Sequence, residues 1–285
     1  MNILMTLNQK IFPTRMSSTN KHFPGAKEGS DNKENILNNI RKYDSAFPIN
    51  LSSRVLYEDN HIIAINKLPS DIVQGDKTGD TPLSDFVKQY LKEKYNKPGE
   101  VFVGTVHRID RPVSGIVIFA KTSKALARLN LMFQNKEIQK TYWAIVKNKP
   151  LKTSGTLVHY LKKNEIKNTS KAFEKETPGA LRSELDFELI CSSKSFYLLE
   201  IRPHTGRHHQ IRVQLSKMCC PIKGDVKYGF DRGNKDASIH LHARKVEFMH
   251  PVKKEMLVIV AAPPEELLWN EFLKIIASSP KPLVL

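Results

Sequence analysis

His107-Arg108-Ile109-Asp110-Arg111-Pro112-Val113-Ser114-Gly115 runs directly into Ile116-Val117-Ile118-Phe119-Ala120, and the reading of this stretch decides the fold. The run from Gly115 to Ala120 is apolar without alternation, so it reads as an interior strand covered on both faces. Ahead of it a single carboxylate, Asp110, stands between two guanidinium groups, Arg108 and Arg111. Pro112 and Gly115 make this connection tight and stiff, which holds Asp110 in a loop at the mouth of the strand. On spacing alone two readings stay open. One is a surface Arg–Asp bridge before a strand. The other is a fixed, charged carboxylate suited to nucleophilic attack or charge stabilisation.

Working outward, Val55-Leu56-Tyr57 and Ile62-Ile63-Ala64-Ile65 read as two strands around a Glu58-Asp59-Asn60 turn. Thr81, with Pro82 in the first turn, is predicted to cap a helix running to about Tyr95, with Leu83, Phe86, Val87, Tyr90 and Leu91 at helical spacing. Beyond the central strand, Ser123 to Gln134 reads as an amphipathic helix with Leu126, Leu129, Met132 and Phe133 inward. Strands are expected at Thr141 to Val146 and Gly155 to Leu161. A hairpin is expected from Leu185 to Ile190 and Phe196 to Ile201. The polar segment Lys162 to Leu181 reads as a long surface loop. Gly206 is expected to precede a helix through Gln210, Val213 and Leu215. Strands from His240 to Phe248 and Met256 to Ala261 and a helix from Pro264 to Ile276 complete the pattern. Strands and helices mix without a steady βαβ alternation, so the expectation is an α+β fold on an antiparallel or mixed sheet.

The chain has 285 residues, with 45 Lys and Arg against 29 Asp and Glu, a net charge of +16. Such a surplus points to a polyanionic partner, nucleic acid first. The 40% hydrophobic content is ordinary for a globular chain and excludes wholesale disorder. No apolar run approaches the ~18 residues of a membrane span. The cysteines, Cys191, Cys219 and Cys220, have neither a disulfide-framework nor a zinc-finger spacing and read as reduced thiols of an intracellular protein. Residues 1–50 are rich in Asn, Ser and Lys and read as a flexible basic leader, either an arm or a targeting segment, before a domain over 51–285. The expected compartment is the cytoplasm, with the mitochondrion as the alternative that the leader offers. The apolar stretch from Ile3 to Phe12 is interrupted by Asn8, Gln9 and Lys10, unlike a secretory signal.

Three further segments carry chemistry. In His204-Thr205-Gly206-Arg207-His208-His209-Gln210-Ile211-Arg212, free amides at a helix start are suited to a phosphate. Arg207 and Arg212, five apart, point to different sides, so one can meet RNA while the other reaches a buried carboxylate. A metal site on the histidines is disfavoured, because Pro203 and Gly206 break the helical spacing of His204 and His208. Lys140-Thr141-Tyr142-Trp143-Ala144 puts its aromatics on opposite faces of a strand. One can stack on a base while the other packs the core. Pro221 to Gly229 reads as an ordered, Gly-bounded turn with exposed charge.

Together these segments resemble the RluA family of RNA pseudouridine synthases. The pattern H-R-L-D-x-x-T-S-G is matched by His107 to Gly115, with Ile109 for Leu and Val113 for Thr. K-x-Y-x-A-x-V is matched by Lys140, Tyr142, Ala144 and Val146, and G-R-T-H-Q-I-R by Gly206 to Arg212, with His208 for Thr. P-I-x-G-D-x-x-Y-G is matched by Pro221 to Gly229, and L-H-A-x-x-L-x-F-x-H-P by Leu241 to Pro251, with Val246 for Leu. Five motifs in order are specific where one would be weak.

The resemblance implies a pseudouridine synthase fold: a central, mostly antiparallel mixed sheet, flanking helices and a catalytic cleft. It implies isomerisation of uridines in rRNA or tRNA by a monomer without cofactor or metal. The bond from ribose C1′ to uracil N1 breaks, the base turns, and C5 joins C1′. Asp110 matches the catalytic aspartate, attacking C6 of the base or C1′ of the ribose. Tyr142 matches the tyrosine that stacks on the base, and Arg212 the arginine that pairs with the aspartate. Arg108 matches the residue that fills the gap left by the flipped nucleotide. Arg207 is expected on backbone phosphate, and His107, Arg111 and Lys140 are the remaining expected RNA contacts.

Overall fold

The computed structural model describes residues 51–278. The expected leader therefore lies outside the described residues. After a short 3-10 turn at Leu51–Arg54 the elements are strands β1 (Val55–Glu58) and β2 (Ile62–Lys67), helix α1 (Leu83–Lys94), strands β3 (Gly104–Thr105) and β4 (Ser114–Ala120), and helix α2 (Ser123–Gln134). Then come β5 (Gln139–Val146), β6 (Ser154–Asn164), β7 (Thr169–Phe173), β8 (Leu181–Ser192) and β9 (Tyr197–Pro203), followed by α3 (Gln210–Lys217). A 3-10 turn at Val226–Tyr228, β10 (Leu241–Met249), β11 (Met256–Val260) and α4 (Leu267–Ser278) complete the order. The strands form one sheet in the order β1-β2-β4-β10-β5-β9-β8-β6-β7, with β3 also pairing β4 and β11 pairing β10. Every named pairing is antiparallel except β4 with β10, which is parallel over Ser114–His242 and Gly115–Ala243.

The uninterrupted apolar run now has its cause. All seven residues of β4 are buried. Val117 and Phe119 pack on one side with Val87 and Leu91 of α1. Ile116, Ile118 and Ala120 pack on the other with Ala125, Leu129 and Met132 of α2. Gly115 is required where β4 enters the sheet. Its φ is +113°, and a Cβ there would sit 2.3 Å from the carbonyl oxygen of Ala243. The alternation on β5 is equally consequential. Ala144 and Val146 join the core that contains Ile211 and Leu215 of α3, with Tyr142 packed against the same core. Trp143 and Ile145 instead meet Trp269 and Phe272 of α4.

Three expectations change. The segment from Lys162 to Leu181 is mostly a hairpin rather than a loop: β6 continues to Asn164, turns, and pairs with β7 in register from Asn164–Thr169 to Tyr160–Phe173. Its polarity reflects the sheet's edge strand, one side of which has no strand partner. Helix α1 is not capped by Thr81. Pro82 occupies the cap position without a side-chain bond, and the Leu83 amide donates to the Ile72 carbonyl at 2.7 Å. Helix α3 starts at Gln210, four residues after Gly206, behind His209 in a left-handed conformation. The amide of Arg207 is taken by Gln210 Oε1 at 3.0 Å, so it is not free for a phosphate.

Candidate active site

The loop carrying Asp110 is held by its carbonyls. Val113 N–H donates to Asp110 O, Ser70 N–H to Arg111 O, and Ile239 N–H to Pro112 O, each at 3.0 Å. Lys67, at the end of β2, is fully buried, and its Nζ donates to the carbonyls of Leu68 (2.9 Å), Arg111 (3.1 Å) and Val113 (2.7 Å). Burial pulls the Lys67 ammonium down to about 7, against the attraction of Asp71 and Asp110. On the strand side, Ser114 Oγ lies 2.9 Å from Nδ1 of buried His242, whose Nε2 is 3.1 Å from the Ala261 carbonyl. Only a protonated Nε2 can donate to that carbonyl, so Nδ1 of the neutral ring accepts from the serine. The loop thus has little freedom at either end.

The side chain of Asp110 is 31% exposed. Its Oδ2 accepts from Arg212 Nη1 at 2.9 Å and lies 3.4 Å from His209 Nε2. Arg212 is 4% exposed, and its other edge donates in a bidentate fork to Asp225, Nε to Oδ2 at 2.7 Å and Nη2 to Oδ1 at 2.8 Å. Asp225 is itself 1% exposed. Burial works against the Arg212 charge, but the hydrogen bonds and charge of Asp225, then the charge of Asp110, outweigh it and hold the guanidinium more firmly protonated than usual. Tyr142 faces the same place from β5. Burial, and secondarily the charge of Asp110, raises its phenol above the ordinary value, so it stays protonated at neutral pH.

These groups line a cavity of 130 Å³ that includes Ile109, Asp110, Tyr142, Arg207, His209 and Arg212. Arg108 and Lys140 also line it. Arg108 is exposed, while Lys140 is partly buried, which lowers its pKa. Arg207 is exposed, with Nε 3.4 Å from the Arg182 carbonyl. A separate groove of 520 Å³ shares Arg108 and Asp110 and adds Arg111, Lys163, His208 and Lys227.

The fold therefore brings Asp110, Tyr142, Arg212, Arg108, Arg207 and Lys140 together, although Asp110 and Arg212 are 102 positions apart. Two of the expected RNA contacts, His107 and Arg111, stand outside that cavity. The His107 ring stacks on Phe133 at 4.7 Å, and its Nε2 accepts from the Ile118 amide at 2.9 Å. Burial lowers its pKa to about 3, so it is a neutral brace between the loop and β4. Arg111 turns toward residues 76–80, donating to Asp80 and, at 3.4 Å, to Thr78. The three histidines have separate partners. His204 pairs with Asp186, His208 with Ser170 and Asn168, and His209 with Tyr228. Among the described residues no group of three or more His, Cys, Asp or Glu is arranged to hold a metal.

Sequence reasoning missed Asp225, Lys67 and His209. Asp225 was read as exposed charge, yet its motif lies close in sequence to an arginine already expected to reach a buried carboxylate. Lys67 continues the Ile63, Ile65 face of β2, a register that would have flagged it as inward. His209 stands at the histidine of the G-R-T-H-Q-I-R pattern while His208 replaces its Thr, a signal in the sequence that set the two apart.

The family model described as RNA pseudouridylate synthase matches residues 61–217. The chain is 30% identical over 245 residues to tRNA pseudouridine synthase C of Pasteurella multocida, covering 79% of this chain and 96% of that protein. It is 31% identical over 223 residues to ribosomal large subunit pseudouridine synthase C of Vibrio vulnificus, covering 76% and 68%. The solved structure of human RNA pseudouridylate synthase domain containing 4 superposes with a TM-score of 0.66 at 21% identity, covering 84% of this chain and 97% of that one, a likeness of fold. With the motifs, the mixed sheet and the match over residues 61–217 in agreement, the chain belongs to the RluA-type family of RNA pseudouridine synthases.

Proposed function

We propose that this enzyme isomerises uridines of tRNA or rRNA with Asp110 as its nucleophile and without a cofactor. The observation that carries the reading is the buried Arg212–Asp225 fork, which gives a third N–H, on Nη1, to Asp110 beside the phenol of Tyr142. A guanidinium anchored on one carboxylate can orient a second without leaving its own charge unpaired. It engages one oxygen of Asp110 through Nη1. The carboxylate attacks the base or the ribose of a flipped nucleotide seated in the cavity. Breakage of N1–C1′, rotation of the base and formation of C5–C1′ follow. The proton lost from C5 and the proton gained at N1 balance, so the reaction needs no external reductant or oxidant. Tyr142, on the cavity wall, stacks on the base. Arg108 and Arg207 supply cations for the displaced stack and the backbone phosphate.

The test is tritium release from tRNA and from rRNA labelled at uracil C5, using wild type and Asp110→Asn. Release by wild type with at least a thousandfold loss in Asp110→Asn, at unchanged RNA affinity and circular dichroism, is the expected result. Turnover by Asp110→Asn within about tenfold of wild type would sink the nucleophile assignment.

A further inference from the structure

His209 enters α3 with φ at +53°, a conformation unfavourable for a residue with a side chain. That backbone aims the ring into the active site, where it is 9% exposed and stacked on His208 at 3.8 Å. Its Nδ1 lies 2.8 Å from Tyr228 Oη. The same hydroxyl accepts the backbone N–H of Ser170, on β7, at 2.7 Å. An amide nitrogen can only donate, so among the described residues the hydroxyl proton of this buried tyrosine is left for His209 Nδ1. Were Nδ1 itself protonated, the tyrosine proton would be stranded in a buried place, which is costly. The ring therefore carries its proton on Nε2, and Nε2 faces Asp110 Oδ2 at 3.4 Å. Burial keeps the ring neutral, down to about 3, despite Asp110, with Arg212, His208 and Lys227 disfavouring its charge as well.

We infer that His209 is a positioning residue: its Nε2–H, with the tautomer set by Tyr228 and the Ser170 amide, joins Arg212 Nη1 on Oδ2 of Asp110 and leaves Oδ1 to meet the substrate. The relay ties the β6–β7 hairpin to the reacting carboxylate. At 3.4 Å the contact is long in the free enzyme, as catalytic hydrogen bonds often are before substrate binds. This proposal deepens the reading of Asp110 as nucleophile and rests on it for its catalytic half.

Two measurements on the full chain test it. Long-range proton–nitrogen correlation of imidazole-labelled protein reports the tautomer without any turnover. The His209 signals, assigned by their loss in His209→Gln, should show a proton on Nε2 and a bare Nδ1 in wild type, and a tautomer mixture in Tyr228→Phe. A proton on Nδ1, a doubly protonated ring, or an unchanged spectrum in Tyr228→Phe overturns the relay. In kinetics, His209→Leu should lower kcat about ten- to hundredfold, the worth of one hydrogen bond to a charged group, with KM for RNA unchanged. His209→Gln, whose amide reaches the same position, should restore most of that loss. Equal loss in both variants, or a change confined to KM, overturns the positioning role. Turnover by Asp110→Asn would remove the catalytic half, while the wild-type spectrum still decides the tautomer.

Discussion

Removing the carboxylate of Asp225 tests whether the site is built on a buried ion pair. In Asp225→Leu, Arg212 keeps only its 2.9 Å bond to Asp110 and loses two charge-assisted bonds of 2.7 and 2.8 Å. The guanidinium is 4% exposed, so water cannot replace them. Stranding one member of a buried pair costs about 3–5 kcal/mol, which for a protein of this size lowers Tm by about 6–20 °C. Urea unfolding at pH 7, with tritium release on the same preparations, reads both consequences. A surface control is Glu188→Ala. Its partner Arg202 is bound at 2.9 Å but both side chains are about half exposed, so the loss stays within about 1 kcal/mol. The decisive variant is Arg212→Met with Asp225→Leu. With neither charge left to bury, most of the stability returns, while activity stays lost because Asp110 has lost its guanidinium partner. A loss below about 1 kcal/mol in Asp225→Leu, or a double variant no more stable than the single, would refute the argument.

Two further outcomes follow from the same structure. Gly115→Ala forces a Cβ against the Ala243 carbonyl at a positive φ and should cost about 3 kcal/mol or more, whereas Gly206→Ala, with nothing within 4 Å, should stay within about 0.5 kcal/mol by thermal unfolding. Burial lowers the pKa of His242 to about 4 and of His107 and His209 to about 3, against about 6.5 unfolded. The unfolded chain binds more protons between those values, so their contribution is complete above pH 6.5 and is lost as pH falls toward 4, by up to ~1.4 kcal/mol per pH unit for His242. Urea titrations at pH 7, 6 and 5 should show this slope, and His242→Gln should flatten it. An unchanged slope in that variant would contradict the burial account.

What the chain determined by itself is what local order can encode. A short apolar run without alternation reads as a strand covered on both faces, and β4 is one. The helical spacing of Leu126, Leu129, Met132 and Phe133 gave α2 its bounds, Ser123–Gln134. The two-residue period of a strand separated Tyr142 from Trp143 before any partner was known. The five motifs named the family because they fix residue types at fixed separations, which chance seldom repeats. The tertiary structure decided which charges are buried and what they face. Asp225 and His209 look like surface residues in sequence, since each is a polar group in a polar neighbourhood, and Lys67 looks like one as a charge at a strand end, although its register with Ile63 and Ile65 points inward. They are buried because other elements close over them: β4 beside Lys67, and α3 beside the loops of Asp110 and Asp225. The β6–β7 hairpin was invisible for the same reason. An edge strand has little apolar pattern, and its pairing is settled by backbone hydrogen bonds to a neighbour. Local periodicity records the face that a residue presents, but the pairing of a buried charge depends on groups a hundred positions away, and only the folded chain brings those within 3 Å.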